Sequence, residues 1–183
     1  MKKTIAVITT AYMSMMVTVQ AHPIVMTIDK TQSTVSYDLT HPLHEVHAVS
    51  KETESEIDAD LQTKQITKVV AEVDVTTFDS GNSNRDSHAM EVIDAITYPD
   101  VEFTSSSVEQ KGDSVEVNGS LTFHGVTKNI SIMAAVQWGA SAVTVDGRFT
   151  ISLTAFKIDR PSLLMIPVDD ALRFTLHGVY NKK

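Results

Sequence analysis

The stretch from Ser114 to Trp138, SVEVNGSLTFHGVTKNISIMAAVQW, decides the fold. Val115, Val117, Leu121 and Phe123 occupy alternate positions between polar neighbours. HGVTKN at 124–129 then turns the chain, and Ile130, Ile132, Ala134, Val136 and Trp138 resume the alternation. A period of two puts every apolar side chain of such a segment on one face, so this is a β-hairpin with one buried side.

The same pattern extends in both directions. Val35, Tyr37 and Leu39 alternate with Thr34, Ser36 and Asp38. Ile66 leads into Val69, Ala71, Val73 and Val75, and Val101 and Phe103 follow. Beyond the hairpin come Val143, Val145, Phe149, Ile151 and Leu153, then Leu172, Phe174, Leu176 and Tyr180. With turn signals at KGD (111–113), WGAS (138–141) and DRPS (159–162), the template counts about eight antiparallel strands. Long strands that keep a single apolar face from end to end suit one sheet curled on itself rather than a sandwich. The expected fold is therefore all-β: an extended eight-stranded antiparallel up-and-down barrel. Aromatic residues make up only 6% of the chain, and a lining of Val, Ile and Ala leaves volume for a ligand.

Residues 1–21, MKKTIAVITTAYMSMMVTVQA, have two lysines, an uncharged apolar stretch and small residues at Val19 and Ala21. This is the pattern of a cleaved secretory signal, with 22–183 as the barrel domain and a periplasmic or secreted destination. No later run approaches membrane-spanning length. The net charge of −8 becomes about −10 once the signal is removed, so nucleic acid and anionic lipid surfaces are poor partners. With no cysteine, disulfides and thiolate metal sites are excluded.

One segment breaks the alternation: FDSGNSNRDSHAMEVIDAITYP at 78–99. Ser83 or Asn84 is an N-cap candidate, Asp86 stands three residues after Ser83 as in a capping box, and Tyr98-Pro99 stops the helix. Met90, Val92, Ile93 and Ile96 would then cover one end of the barrel. Asp86, Ser87 and His88 have the residue types of a catalytic triad, but neighbours on a helix point about 100° apart and cannot relay a proton. Arg85 is expected to clamp a carboxylate or carbonyls, and His88 to hydrogen-bond within the loop or cap.

This segment, together with VNGSLTFHGVTKNISI, resembles the YceI-like family of lipid-binding, lipocalin-like proteins. Gly81, Arg85, Asp86, His88, Asp94, Tyr98, Pro99 and Phe103 match a first motif. Gly119, Leu121, Thr122, Gly125, Val126, Thr127 and Lys128 match a second. The resemblance implies a barrel whose apolar tunnel holds a long isoprenoid or similar lipid, with no catalytic machinery. The chain departs from the pattern at Val92-Ile93, where an aromatic pair is usual, and at Leu163-Leu164, where Phe-Gly is common.

Three further stretches carry metal-ligand residue types without the spacing a site needs. His41, His44 and His47 in HPLHEVH read as one extended segment, with His41 and His47 on one face and His44 on the other, which makes no metal trio. His22, exposed as a new N terminus, is a copper candidate without supporting thioether or thiolate ligands. The acidic run ETESEIDAD at 52–60 lacks the glycine of a calcium loop and reads as a solvated hairpin.

The expected function is carriage of a long-chain isoprenoid or fatty amphiphile, without cofactor, metal or catalysis, and is compatible with a homodimer. Tyr37, Leu39, Val73, Val75, Met90, Phe103, Leu121, Phe123, Phe149, Ile151 and Phe174 are the expected lining, with Arg85, His88 and His41 at the mouth. The alternative is a filled barrel serving as a stress-related protein-interaction module.

Overall fold

The computed structural model describes residues 22–182, so the predicted signal at 1–21 lies outside the described residues. Twelve strands are found among them: β1 (Ile24–Ile28), β2 (Thr34–His41), β3 (His44–Ser50), β4 (Glu54–Asp60), β5 (Gln65–Asp74), β6 (Asp100–Lys111), β7 (Ser114–Phe123), β8 (Val126–Trp138), β9 (Ala142–Ser152), β10 (Ser162–Leu163), β11 (Ile166–Pro167) and β12 (Ala171–Lys182). One α-helix, α1 (Ser83–Val92), stands between β5 and β6, and single 3-10 turns follow β5 at Val75–Thr77 and β9 at Thr154–Phe156.

Every ladder is antiparallel, and from β4 to β9 neighbours in the sheet are neighbours in sequence. β12 takes β1 and β2 end to end on one edge, pairing Tyr180–Lys182 with Met26–Ile28 and Leu172–His177 with Thr34–Leu39. β4 then lies on β1 and β3 on β2. β1 with β2, and β3 with β4, thus act as two long interrupted strands. With β5, β6, β7, β8, β9 and β12 they close a barrel of eight staves.

The acidic run, read from sequence as a solvated hairpin, is instead the stave β4. Ser55, Ile57 and Ala59 are buried while Glu54 and Glu56 face out. Its short side chains hid an ordinary alternation beneath the charge. Two other irregularities have the same kind of cause. Ile66 and Val69, three apart, both reach the interior because a bulge opposite Asp58 and Ala59 absorbs one residue. A second bulge shifts β6 between Ser105 and Ser107.

Up-and-down order assigns the loops to two ends. The turns at 42–43, 124–125 and 153–170 share one end with the 75–99 segment, while those at 61–64, 112–113 and 139–141 lie at the other. At the first end, Gly125 has φ +68°, and a β-carbon there would stand 2.5 Å from the Tyr98 ring, which itself packs edge-on against His124 at 4.8 Å. Only glycine accommodates both the turn and that contact.

α1 starts one residue earlier than expected and stops sooner. Asn82 is the N-cap, its side chain accepting from the Arg85 amide at 3.1 Å. Asp94, at φ +46°, terminates the helix four residues before Tyr98-Pro99. Asp86 does not close a box on Ser83; its carboxylate accepts from the Ser80 amide at 3.2 Å and so holds the incoming loop. Met90, Val92 and Ile93 pack against the core, but Ile96, assigned to the same stripe, is 98% exposed because the chain has already left the helix.

Candidate functional site: an apolar interior with a polar mouth

The barrel is not solid. A chamber of about 360 Å³ occupies the end under α1, and a deeper one of about 130 Å³ follows it. Val73, Val101, Phe123 and Phe174 wall both, so the chambers meet at this waist. The volume of the outer chamber lies within the range of small-molecule sites.

The inward alternation places the expected lining. Tyr37, Leu39, Val75 and Met90 border the outer chamber, as do His41, Arg85 and His88; Phe103, Leu121, Phe149 and Ile151 border the inner one. Phe149 and Phe174 stack at 4.8 Å, and Tyr37 packs against Phe78 at 5.3 Å. Sequence reasoning missed Phe78, Val46, Leu153, Ile158 and Leu163 around the outer chamber, and Ile57, Ile66 and Tyr180 around the inner one. Val46 and Ala48 in HEVHAVS, like Ile57 and Ala59 in β4, had the alternation that would have found them.

The inner chamber ends on a small polar group. The Tyr180 and Ser55 hydroxyls lie 2.9 Å apart, and Ser55 also donates to the Val70 carbonyl. Burial pushes the Tyr180 phenol above its ordinary pKa, partly offset by the Ser55 hydrogen bond.

The mouth carries the charge. The histidines of HPLHEVH do not lie along one strand, because Pro42-Leu43 is a tight turn. His41 and His44 are directly opposed across it, rings 4.9 Å apart and both bordering the outer chamber, while His47 pairs outside with Asp38 at 2.7 Å. This reverses the expected facing. No cluster of three or more metal-ligating side chains occurs among the described residues.

His41 is buried and uses both nitrogens. Nδ1 accepts from the Leu43 amide at 3.1 Å, so Nε2 carries the proton and donates to the Ile166 carbonyl at 2.9 Å. Arg85, expected to clamp a carboxylate or carbonyls, makes no side-chain hydrogen bond or ion pair among the described residues; half-buried, it borders the outer chamber. His88 is exposed, and its closest charged neighbour is Glu91 at 3.6 Å, beyond hydrogen-bond distance. The Tyr37 phenol lies raised in pKa chiefly by burial and then by Asp86, with Arg85 opposing.

The comparisons with known proteins agree with this architecture. Residues 26–180 match the model of the YceI-like domain.

The chain belongs to the YceI-like family.

Among curated members it is 27% identical over 146 residues to a UPF0312 protein of Pseudomonas fluorescens, covering 75% of each chain. Of solved structures in this fold, BcnA of Burkholderia cenocepacia superposes with a TM-score of 0.75 at 24% identity, over 83% of this chain and 98% of that one. A polyisoprenoid-binding domain from Saccharophagus degradans superposes with a TM-score of 0.68 at 14% identity, over 88% and 100%. At these identities the superpositions speak for the shared YceI-like barrel.

Proposed function

We propose that this YceI-like protein is an exported, non-catalytic carrier of a long-chain isoprenoid or similar amphiphile. The observation that carries the reading is the unpaired Arg85 side chain bordering a largely apolar two-chamber interior. A long hydrocarbon gains about 0.8 kcal/mol for each methylene removed from water, so the chambers supply affinity without specific contacts. A cation left without a protein partner at the rim supplies the selection, favouring a phosphate or carboxylate head over a neutral one. The name of the Saccharophagus relative gives the isoprenoid its place as first candidate.

Catalysis finds no support in the arrangement around α1. The Asp86 carboxylate is engaged with the Ser80 amide and His88 faces Glu91, so no nucleophile, base and orienting group converge there. The two chambers support the carrier reading over the filled-barrel alternative, which calls for an interior without room.

The test is mass spectrometry of organic extracts from protein purified without detergent. A stoichiometric long-chain amphiphile is the expected result. Extracts free of lipid, together with no uptake of added polyprenyl phosphate, would overturn the proposal. Export is tested separately, by finding cleavage after Ala21 in protein recovered from outside the cytoplasm.

A further inference from the structure

The loop from Leu153 to Asp170 carries a small hairpin, β10 and β11, whose two-residue turn is Leu164-Met165. Both turn residues have positive φ, +53° and +64°, as a tight hairpin turn of this kind requires. Asn-Gly is the usual solution, because leucine and methionine are disfavoured in left-handed backbone. Leu164 is also 76% exposed and Met165 94% exposed. The tip therefore departs from the chemistry of its own turn and from the solubility of its surface at the same two positions.

The hairpin is firmly seated. Its Ile166 carbonyl accepts from His41, the Val168 carbonyl receives the Arg160 guanidinium, and the Asp169 amide donates to the Thr40 carbonyl at 2.8 Å. Leu163 borders the outer chamber, so the same hairpin is part of the mouth. His41 brings beside it the turn that carries Leu43, also exposed, and the rim thus gathers Leu43, Leu163, Leu164, Met165 and Ile166.

We propose that this rim is a membrane-docking tip: Leu164 and Met165 enter the interfacial region of a lipid bilayer and place the mouth of the outer chamber against the source or destination of the cargo. Three observations favour a bilayer over a protein partner. The exposed apolar residues of the rim are five, Leu43, Leu163, Leu164, Met165 and Ile166, against about 20–30 residues a side in a standard protein interface. It is continuous with the opening of an apolar interior, through which a hydrocarbon chain passes without crossing water. And the basic groups that hold the hairpin, Arg160 and His41 of β2, are already bound to carbonyls, while Arg85 of α1 borders the chamber and is assigned to the head of the cargo. Attachment is thus by apolar insertion, and with a net charge of −8 it is stronger on zwitterionic than on anionic lipid.

The purpose of docking rests on the carrier reading, but the two are measured apart. The chain lacks cysteine, so Met165→Cys bearing an environment-sensitive dye reports the tip alone, with Asp113→Cys at the opposite end of the barrel as control. Phosphatidylcholine vesicles should shift the emission of the Met165→Cys label to the blue and leave the Asp113→Cys label unchanged. The double variant Leu164→Asn, Met165→Gly installs the preferred turn, so it should unfold no earlier than the parent while its vesicle co-sedimentation falls at least tenfold. Its lipid content in organic extracts, which measures the carrier reading, should stay unchanged. Equal vesicle binding by parent and double variant would overturn the proposal. So would a failure of the parent to bind, with the tip instead mediating a concentration-dependent dimer that the double variant abolishes in sedimentation.

Discussion

His41 and Ile166 are 125 residues apart in sequence and joined by a hydrogen bond of 2.9 Å from the histidine Nε2 to the isoleucine carbonyl. This bond ties the β2–β3 turn to the β10–β11 hairpin and makes the two halves of the mouth one rim. Because Nδ1 accepts from Leu43 at the same time, only the neutral ring tautomer serves both contacts. His41→Ala removes both and leaves the Ile166 carbonyl and the Leu43 amide without their partner. The expected cost is about 2 kcal/mol, seen as a lowering of the melting temperature by about 4–8 °C in a domain of this size. Hydrogen exchange should locate the loss at 41–44 and 162–168; exchange unchanged there would contradict the rim linkage.

Arg85 holds nothing together among the described residues, so Arg85→Gln should leave the unfolding midpoint within about 0.5 kcal/mol of the parent. Affinity for a polyprenyl phosphate should fall about 10- to 100-fold, as expected when a charge-assisted contact is lost, with little change for the corresponding alcohol. Equal losses for both ligands in a titration would remove Arg85 from head recognition.

Val73 walls both chambers at the waist. Val73→Phe should narrow the passage at a stability cost of about 1–3 kcal/mol for overpacking. Amphiphiles short enough for the outer chamber should still bind, while longer ones weaken progressively. A titration series in chain length that is parallel for parent and variant would mean the chambers do not act as one tunnel.

Asp170 accepts from the Ser152 hydroxyl at 2.5 Å and the Thr154 amide at 2.9 Å, and these hydrogen bonds, Ser152 first, hold its pKa below the ordinary 3.8. A carboxyl depressed by folding contributes stability above its unfolded pKa and loses it as pH falls through the folded value. Thermal unfolding of Asp170→Asn should therefore differ most from the parent above about pH 4, with the gap closing toward more acidic pH. A gap independent of pH would show that the charge of Asp170 plays no part. Asp60, bonded by the Thr63, His22 and Gln62 amides, shifts in the same direction and should steepen the acid limb of the parent.

Much of this molecule was legible in the order of its residues, because a period of two is a local property. Ser114 to Trp138 specifies a hairpin by itself, and repetition of that pattern with short turns leaves few arrangements besides a closed antiparallel barrel. The inward faces followed from the same parity, which is why Tyr37, Phe103, Leu121 and Phe149 border the chambers as expected. Where parity was masked, reading failed: alanine and serine in β4 carry too little hydrophobic contrast to stand out against its four acids.

What surrounds the mouth was decided by tertiary structure alone. Whether His41 faces His44 or His47 depends on a two-residue turn at Pro42-Leu43, and the partner of His41 comes from a hairpin 125 residues away. Arg85 is unpaired because barrel closure turns it over the chamber rather than toward a carboxylate, a consequence of three-dimensional placement that no local spacing encodes. Closure also decided that the side chains of the eight staves stop short of filling the centre, since empty volume is the difference between the circumference set by the backbone and the sum of residues that point inward.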